Sequence, residues 1–315
     1  MKHILYCFLM ALLTYQQAMA QPPKLPDYVK HLPVQRLNDS YIDAYVYQRP
    51  SNKKQPVLII CQGSGVDSNT EGLLGLLSQY GDKAAGLVIE KQGVKYGDNG
   101  DSISSEYVQH NTIYNRLYDY LRVLQYLRTH ANWWNGDIYI VGGSEGGLLA
   151  GLLASFYPHA KGLAILCYGG GIKFGESWPL SSGLIKKAEG ASPQKIKEEE
   201  KAVQDSMKYM SLNPSFLKTF SGKDNSHAWW ASIADLRLSN ALIDLNIPIY
   251  IGHGSEDIMA LPASARQLQE RFKKANKSNL HFKEYEGLDH AFNDKKNKSH
   301  LVSVFMEAIS YILQP

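Results

Sequence analysis

Ser144 stands in the run Ile138-Tyr139-Ile140-Val141-Gly142-Gly143-Ser144-Glu145-Gly146-Gly147-Leu148-Leu149-Ala150. An apolar stretch precedes it and a small-residue helix start follows. A serine held two residues from a glycine on each side fits a turn too sharp for side chains at those positions. Gly142 and Gly146 let a strand and a helix approach closely, and the serine takes a strained backbone conformation with its Oγ exposed. The helix that follows offers free N–H groups beside any developing negative charge. This segment alone is read as a strand, a nucleophile-bearing turn and a helix.

Other short apolar runs repeat the pattern. Val57 to Cys61, Gly86 to Ile89, Leu163 to Leu166 and Ile249 to Ile251 are continuous and bounded by turn signals, as expected of strands buried on both faces. Tyr41 to Tyr47 reads as an early antiparallel strand, and Leu280 to Tyr285 as a mixed last strand. Helical spacing falls between them, at Glu71 to Tyr80, Ile113 to Arg128, Leu148 to Phe156, Ala263 to Ala275 and Leu301 to Leu313. Alternating strands and helices predict an α/β fold with a mostly parallel sheet covered on both faces. Functional groups in such sheets gather beyond the carboxyl ends of the strands. Residues 21–36, with four prolines, are expected to form an extended lead-in. The alternation breaks over about 171–246, too long for an ordinary connection. With the charged stretch Lys195 to Met210 and the cluster His227-Ala228-Trp229-Trp230, that interval predicts an inserted helical cap over the sheet's C-terminal edge.

At the N-terminus, Lys2 and His3 precede the apolar run Ile4 to Leu13, and Ala18-Met19-Ala20 offers a cleavage site. Residues 1–20 therefore read as a secretory signal peptide, cut near Ala20, with 21–315 forming one exported domain and its cap. The apolar run is too short to span a bilayer, so no stable membrane insertion is expected once the signal is removed. Lysine and arginine number 33 against 30 acids. That balance argues against nucleic acid or an anionic membrane surface as the main partner. Cys61 and Cys167 follow apolar runs and read as buried small hydrophobes at strand ends.

An active serine needs a base in hydrogen-bond reach and a group that orients the base. Ile249-Tyr250-Ile251 leads into Gly252-His253-Gly254-Ser255-Glu256-Asp257, which puts an acid just past a strand. Tyr285-Glu286-Gly287-Leu288-Asp289-His290-Ala291-Phe292 puts a histidine after the final strand. The order Ser144, Asp257, His290 fits successive strand ends of one parallel sheet. Glu256 is the rival acid. Asp289, adjacent to His290 in an extended loop, is expected to point away from it and serve a turn.

In these three loops the chain resembles the α/β-hydrolase superfamily, over nearly all of residues 21–315. Gly142 to Gly146 is similar to its nucleophile elbow, His253 to Asp257 with Leu261-Pro262 to its acid loop, and Gly287 to Phe292 to its histidine loop. Dienelactone-hydrolase-like, prolyl-oligopeptidase-like and acyl-CoA thioester hydrolase-like branches share this flavour. The resemblance implies Ser144 as nucleophile, His290 as general base and then acid, and Asp257 as the partner of the imidazole. It also implies an oxyanion hole built from the N–H of Glu145 and an N–H of Cys61-Gln62-Gly63-Ser64-Gly65, with Ser64 the favoured donor. Gln62 stands where histidine is common in that loop.

The activity so implied is cleavage of a carboxylic ester through an acyl-enzyme. Peptidase and thioesterase activities share the mechanism, and a silent binding protein on the same scaffold is the alternative outside catalysis. No cofactor is expected: Gly93 to Gly100 lacks the spacing of a dinucleotide site, and His110, His159 and His227 have no metal-ligand spacing. His253 reads as a packed, hydrogen-bonded core residue. Trp229 and Trp230 read equally well as pocket lining and as cap-to-core packing.

Overall fold

A computed structural model describes residues 25–220 and 225–314. The signal-peptide reading falls outside these residues. An eight-stranded sheet runs through the molecule in the order β1-β2-β4-β3-β5-β6-β7-β8. Its strands are β1 (Val29–Gln35), β2 (Tyr41–Tyr47), β3 (Gln55–Cys61), β4 (Ala85–Ile89), β5 (Trp134–Gly143), β6 (Ala160–Leu166), β7 (Ile249–Gly254) and β8 (Leu280–Tyr285). From β4 to β8 every pairing is parallel, while β2 lies antiparallel to both β1 and β4.

The central strands explain their own sequences. In β3, Val57, Ile59 and Cys61 enter one buried cluster and Leu58 and Ile60 the other. In β6, Leu163 and Ile165 face one way and Ala164 and Leu166 the opposite way. A strand buried on both faces has no polar alternation to show, so it reads as an unbroken apolar run. One face is covered by α1 (Thr70–Ser78) and α10 (Leu301–Ile312). The apolar stripe of α10, Leu301, Val304, Phe305, Ala308, Ile309 and Ile312, has helical spacing and is buried along its length. The other face carries α3 (Ile113–His130), α4 (Glu145–Phe156) and α9 (Pro262–Lys274).

The lead-in is more regular than its prolines suggest. Val29–Gln35 pairs with β2 through seven residues, Pro33 opposite Asp43. Proline lacks the N–H that an inner strand must donate, and β1 tolerates it because it is the edge of the sheet. Arg36 then anchors this edge to α3 through a buried fork on Asp119, with both contacts at 2.7 Å. A short helix, α2 (Ser105–His110), was absent from the sequence expectation. It is started by Ser104, whose hydroxyl accepts from the Tyr107 N–H and donates to the Gly93 carbonyl.

Between β6 and β7 lie α5 (Phe174–Ala188), α6 (Pro193–Leu212), α7 (His227–Ala234) and α8 (Ser239–Leu242). Helices α5 and α6 pack so closely that a side chain at Gly183 would strike Glu200. Trp229 and Trp230 on α7 meet Phe174 and Trp178 of α5 in one aromatic cluster. Cys61 and Cys167 are both free and buried. No helix among the described residues is long and apolar enough to cross a membrane.

Candidate active site

The turn at Ser144 is built by contact, and the glycines are required for specific reasons. A Cβ on Gly142 would lie 2.0 Å from the Gly146 carbonyl oxygen, and one on Gly146 would lie 2.1 Å from that of Cys61. These obstructions are backbone atoms, which cannot swing aside. Ser144 itself has φ 55° and ψ −128°, a costly conformation for a residue with a side chain. Its N–H is fixed by the Leu166 carbonyl at the end of β6. Gly146→Ala is therefore expected to lower the unfolding free energy by about 3 kcal/mol in urea titration. Gly75→Ala in α1, where nothing lies within 4 Å of the new methyl, should be neutral or slightly stabilising. Equal effects at the two positions would refute the packing account.

The acid and histidine loops are knitted to one another. Ser255 N–H donates to the Tyr285 carbonyl and Glu256 N–H to that of Leu288. Gly287 N–H donates to Ser255 Oγ at 2.8 Å. Asp289 accepts the N–H groups of Ala291 and Asn293 on Oδ1, so it shapes the turn that presents His290. Glu256 is exposed, whereas Asp257 is buried and faces the histidine.

His290 Nδ1 lies 2.7 Å from Asp257 Oδ2, and its Nε2 lies 3.2 Å from Ser144 Oγ. A carboxylate only accepts, so Nδ1 carries the proton and Nε2 is left to accept from the serine hydroxyl. Asp257 Oδ1 takes the N–H groups of Met259 and Ala260, both at 2.8 Å. Its Oδ2 also lies 3.2 Å from His253 Nε2. That nitrogen is 2.6 Å from the Ala260 carbonyl, which fixes the His253 proton on Nε2. His253 is thus a buried brace of the acid loop. Burial alone would raise the Asp257 pKa, but the adjacent His290 and His253 hold it well below the usual carboxylate range.

Glu145 opens α4, so its N–H has no acceptor within the helix. Its side chain is buried, accepting from Arg116 Nη1 at 2.8 Å and from Trp229 Nε1 at 3.2 Å. The loop after β3 lies against the same guanidinium. Arg116 donates to the carbonyls of Gln62 and Gly63, and Tyr107 Oη donates to that of Ser64 at 3.0 Å. Gln62 turns inward to Glu90 and to the Ile89 carbonyl. Sequence reasoning singled out Ser144, Glu145, Asp257, His290 and Ser64 but passed over Arg116. Within α3 it is one polar residue in a helical pattern, and its partners lie 29 to 54 positions away.

Lys91, buried just past the end of β4, feels the charges of Arg116, Glu90, Asp67 and Glu145. Burial, reinforced by Arg116 and opposed by the three carboxylates, pushes its pKa down to about 8. The folded chain then releases this proton near pH 8 and the unfolded chain near pH 10.5. Between those values the unfolded state binds more protons, so this group makes stability rise with pH, by up to ~3 kcal/mol. In Lys91→Met that contribution is gone. Urea titrations of both proteins across pH 7.5 to 10 should show the wild type gaining relative to the variant, and a constant difference would count against this assignment. Elsewhere, burial drives the Cys61 thiol up to about 12 and that of Cys167 well above its ordinary value, which leaves neither reactive.

No group of three histidine, cysteine, aspartate or glutamate side chains among the described residues is placed to hold a metal ion. No curated protein sequence matches the chain. Residues 222–311 match the dienelactone hydrolase family model. Among solved structures, Est1E from Butyrivibrio proteoclasticus with ferulic acid bound is 16% identical, with a TM-score of 0.57, covering 87% of this chain and 96% of that one. An acylaminoacyl peptidase from Pyrococcus horikoshii is 14% identical at a TM-score of 0.58, covering 90% of this chain and 41% of the peptidase. A puromycin-hydrolyzing peptidase from Mycobacterium tuberculosis is 14% identical at 0.57, covering 90% and 38% respectively. This chain has the α/β-hydrolase fold, and the part of it that contains Asp257 and His290 is similar to the dienelactone hydrolase family.

Proposed function

We propose that the protein is an exported serine hydrolase that cleaves a carboxylic ester of a small acyl substrate through an acyl-enzyme. The observation that carries this reading is the line from Ser144 Oγ through His290 to Asp257, at 3.2 and 2.7 Å, with the imidazole proton fixed on the side of the carboxylate. Ser144 Oγ attacks the carbonyl carbon as its proton passes to His290 Nε2. The tetrahedral oxyanion is met by the N–H groups of Glu145 and Ser64. His290 returns the proton to the leaving alcohol. Water then repeats the sequence on the acyl-serine and releases the acid.

The ester reading over the peptide reading is supported by extent. The chain spans nearly the whole of Est1E and less than half of each peptidase. Export rests on the first twenty residues, and N-terminal sequencing of protein recovered outside the cytoplasm should begin near Gln21.

The test is a fluorophosphonate probe on the purified protein, followed by peptide mapping. A single adduct on Ser144, with turnover of p-nitrophenyl esters exceeding that of thioesters and aminoacyl anilides, is the expected result. Folded protein that takes up no probe at Ser144 would be a binding protein on this scaffold.

A further inference from the structure

Arg116 occupies a position that the acyl-enzyme reading leaves unused. It is 5% exposed, and one guanidinium reaches three acceptors on two different segments. On the elbow it donates to Glu145 Oε1. On the loop after β3 it donates to the carbonyls of Gln62 and Gly63. A trans peptide points its C=O and its N–H in opposite directions. Holding the Gly63 carbonyl therefore aims the N–H of the same peptide plane, which is that of Ser64. Holding the Glu145 side chain fixes the residue whose N–H is the first donor.

We infer that Arg116 is the positioning residue of the oxyanion hole, joining the elbow to the loop after β3 so that both N–H donors converge on one point. This rests on the acyl-enzyme reading above. Neighbouring groups extend the same arrangement. Tyr107 Oη holds the next carbonyl, that of Ser64, and itself accepts from Asn111 Nδ2 at 2.8 Å. Trp229 on α7 holds the second oxygen of Glu145, so the helical insertion also bears on the elbow. A hole loosened at Arg116 loses stabilisation of the transition state and keeps ground-state binding, so kcat falls while KM stays.

The experiment compares p-nitrophenyl acetate with its thionoester, in which sulfur replaces the carbonyl oxygen. Sulfur is a poor acceptor and fits badly where two N–H donors converge, so the oxygen-to-sulfur rate ratio reads the hole itself. Arg116→Met is expected to lower kcat about 30-fold, below the loss typical of removing a donor outright, with KM within threefold and the rate ratio collapsing. Arg116→Lys keeps the charge but not the fork, and should fall between. Where Arg116→Met does not fold, Arg116→Met/Glu145→Gln removes both buried charges and keeps the Glu145 backbone N–H. It is then expected to show the same drop in ratio. Unchanged kcat, or a reduced kcat with an unchanged ratio, would mean that Arg116 merely supports the fold, and the inference is overturned. Fluorophosphonate labelling of the wild type separates the two levels: an unlabelled Ser144 removes the acyl-enzyme reading, whereas a labelled one with an unchanged ratio removes only the role of Arg116.

Discussion

Ser144→Ala should lower kcat for a short p-nitrophenyl ester by about 10⁴ to 10⁶ while leaving the fold intact. The side chain that is lost makes one hydrogen bond, to His290, and plays no part in capping α4. The strained backbone at φ 55° persists with alanine, because the glycines and the Leu166 carbonyl impose it. Circular dichroism and the urea midpoint should therefore remain close to wild type, within about 1 kcal/mol. The loss is purely chemical. Turnover within tenfold of wild type would show that another group attacks the carbonyl.

Asp257→Asn should cost nearly as much, about 10⁴ in kcat, for a reason that involves no loss of volume. Asparagine keeps an acceptor oxygen toward the N–H groups of Met259 and Ala260. Its amide NH₂ then replaces Oδ2 and faces His290 Nδ1. Two donors cannot share a proton position, so the imidazole moves its proton to Nε2 and no longer accepts from Ser144. The same NH₂ confronts the N–H of His253, which retains only the Ala260 carbonyl. Activity of the variant should recover in part as pH rises and hydroxide substitutes for the missing base. Measurement of kcat from pH 6 to 10 checks this, and a variant of near-wild-type rate would refute the tautomer argument.

Much of the fold was legible in the sequence. The strands β3 to β7 are buried on both faces, and this makes Val57 to Cys61 or Leu163 to Leu166 plain apolar runs. The loops bearing Ser144 and Asp257 follow such runs directly, and the loop bearing His290 follows the mixed strand β8, so their order along the chain could be read. Edge strand β1 was harder to read. Its burial is partial, its pattern includes Pro33, and only pairing with β2 makes it a strand. Helix α2 is six residues long and owes its start to Ser104 and Gly93 from outside its own span. Helix α4 begins at Glu145, three residues before the apolar pattern that marked it, because Gly146 and Gly147 carry no hydropathy signal.

Residue types and their spacing alone determined that a serine would stand in a glycine-bracketed turn, with an acid and a histidine after later strands. Those are local requirements: a glycine is needed where a Cβ would strike backbone, and an apolar run where both faces of a strand are covered. The tertiary structure alone decided which groups meet. It set Asp257 and not Glu256 against His290, turned His253 into a brace, and gathered Arg116, Glu145, Trp229 and the carbonyls of Gln62 and Gly63 into one buried cluster centred on the Arg116–Glu145 ion pair. Contacts between residues far apart in sequence leave no periodicity behind, because their partners are chosen by the packing of separate elements and not by position along any one of them.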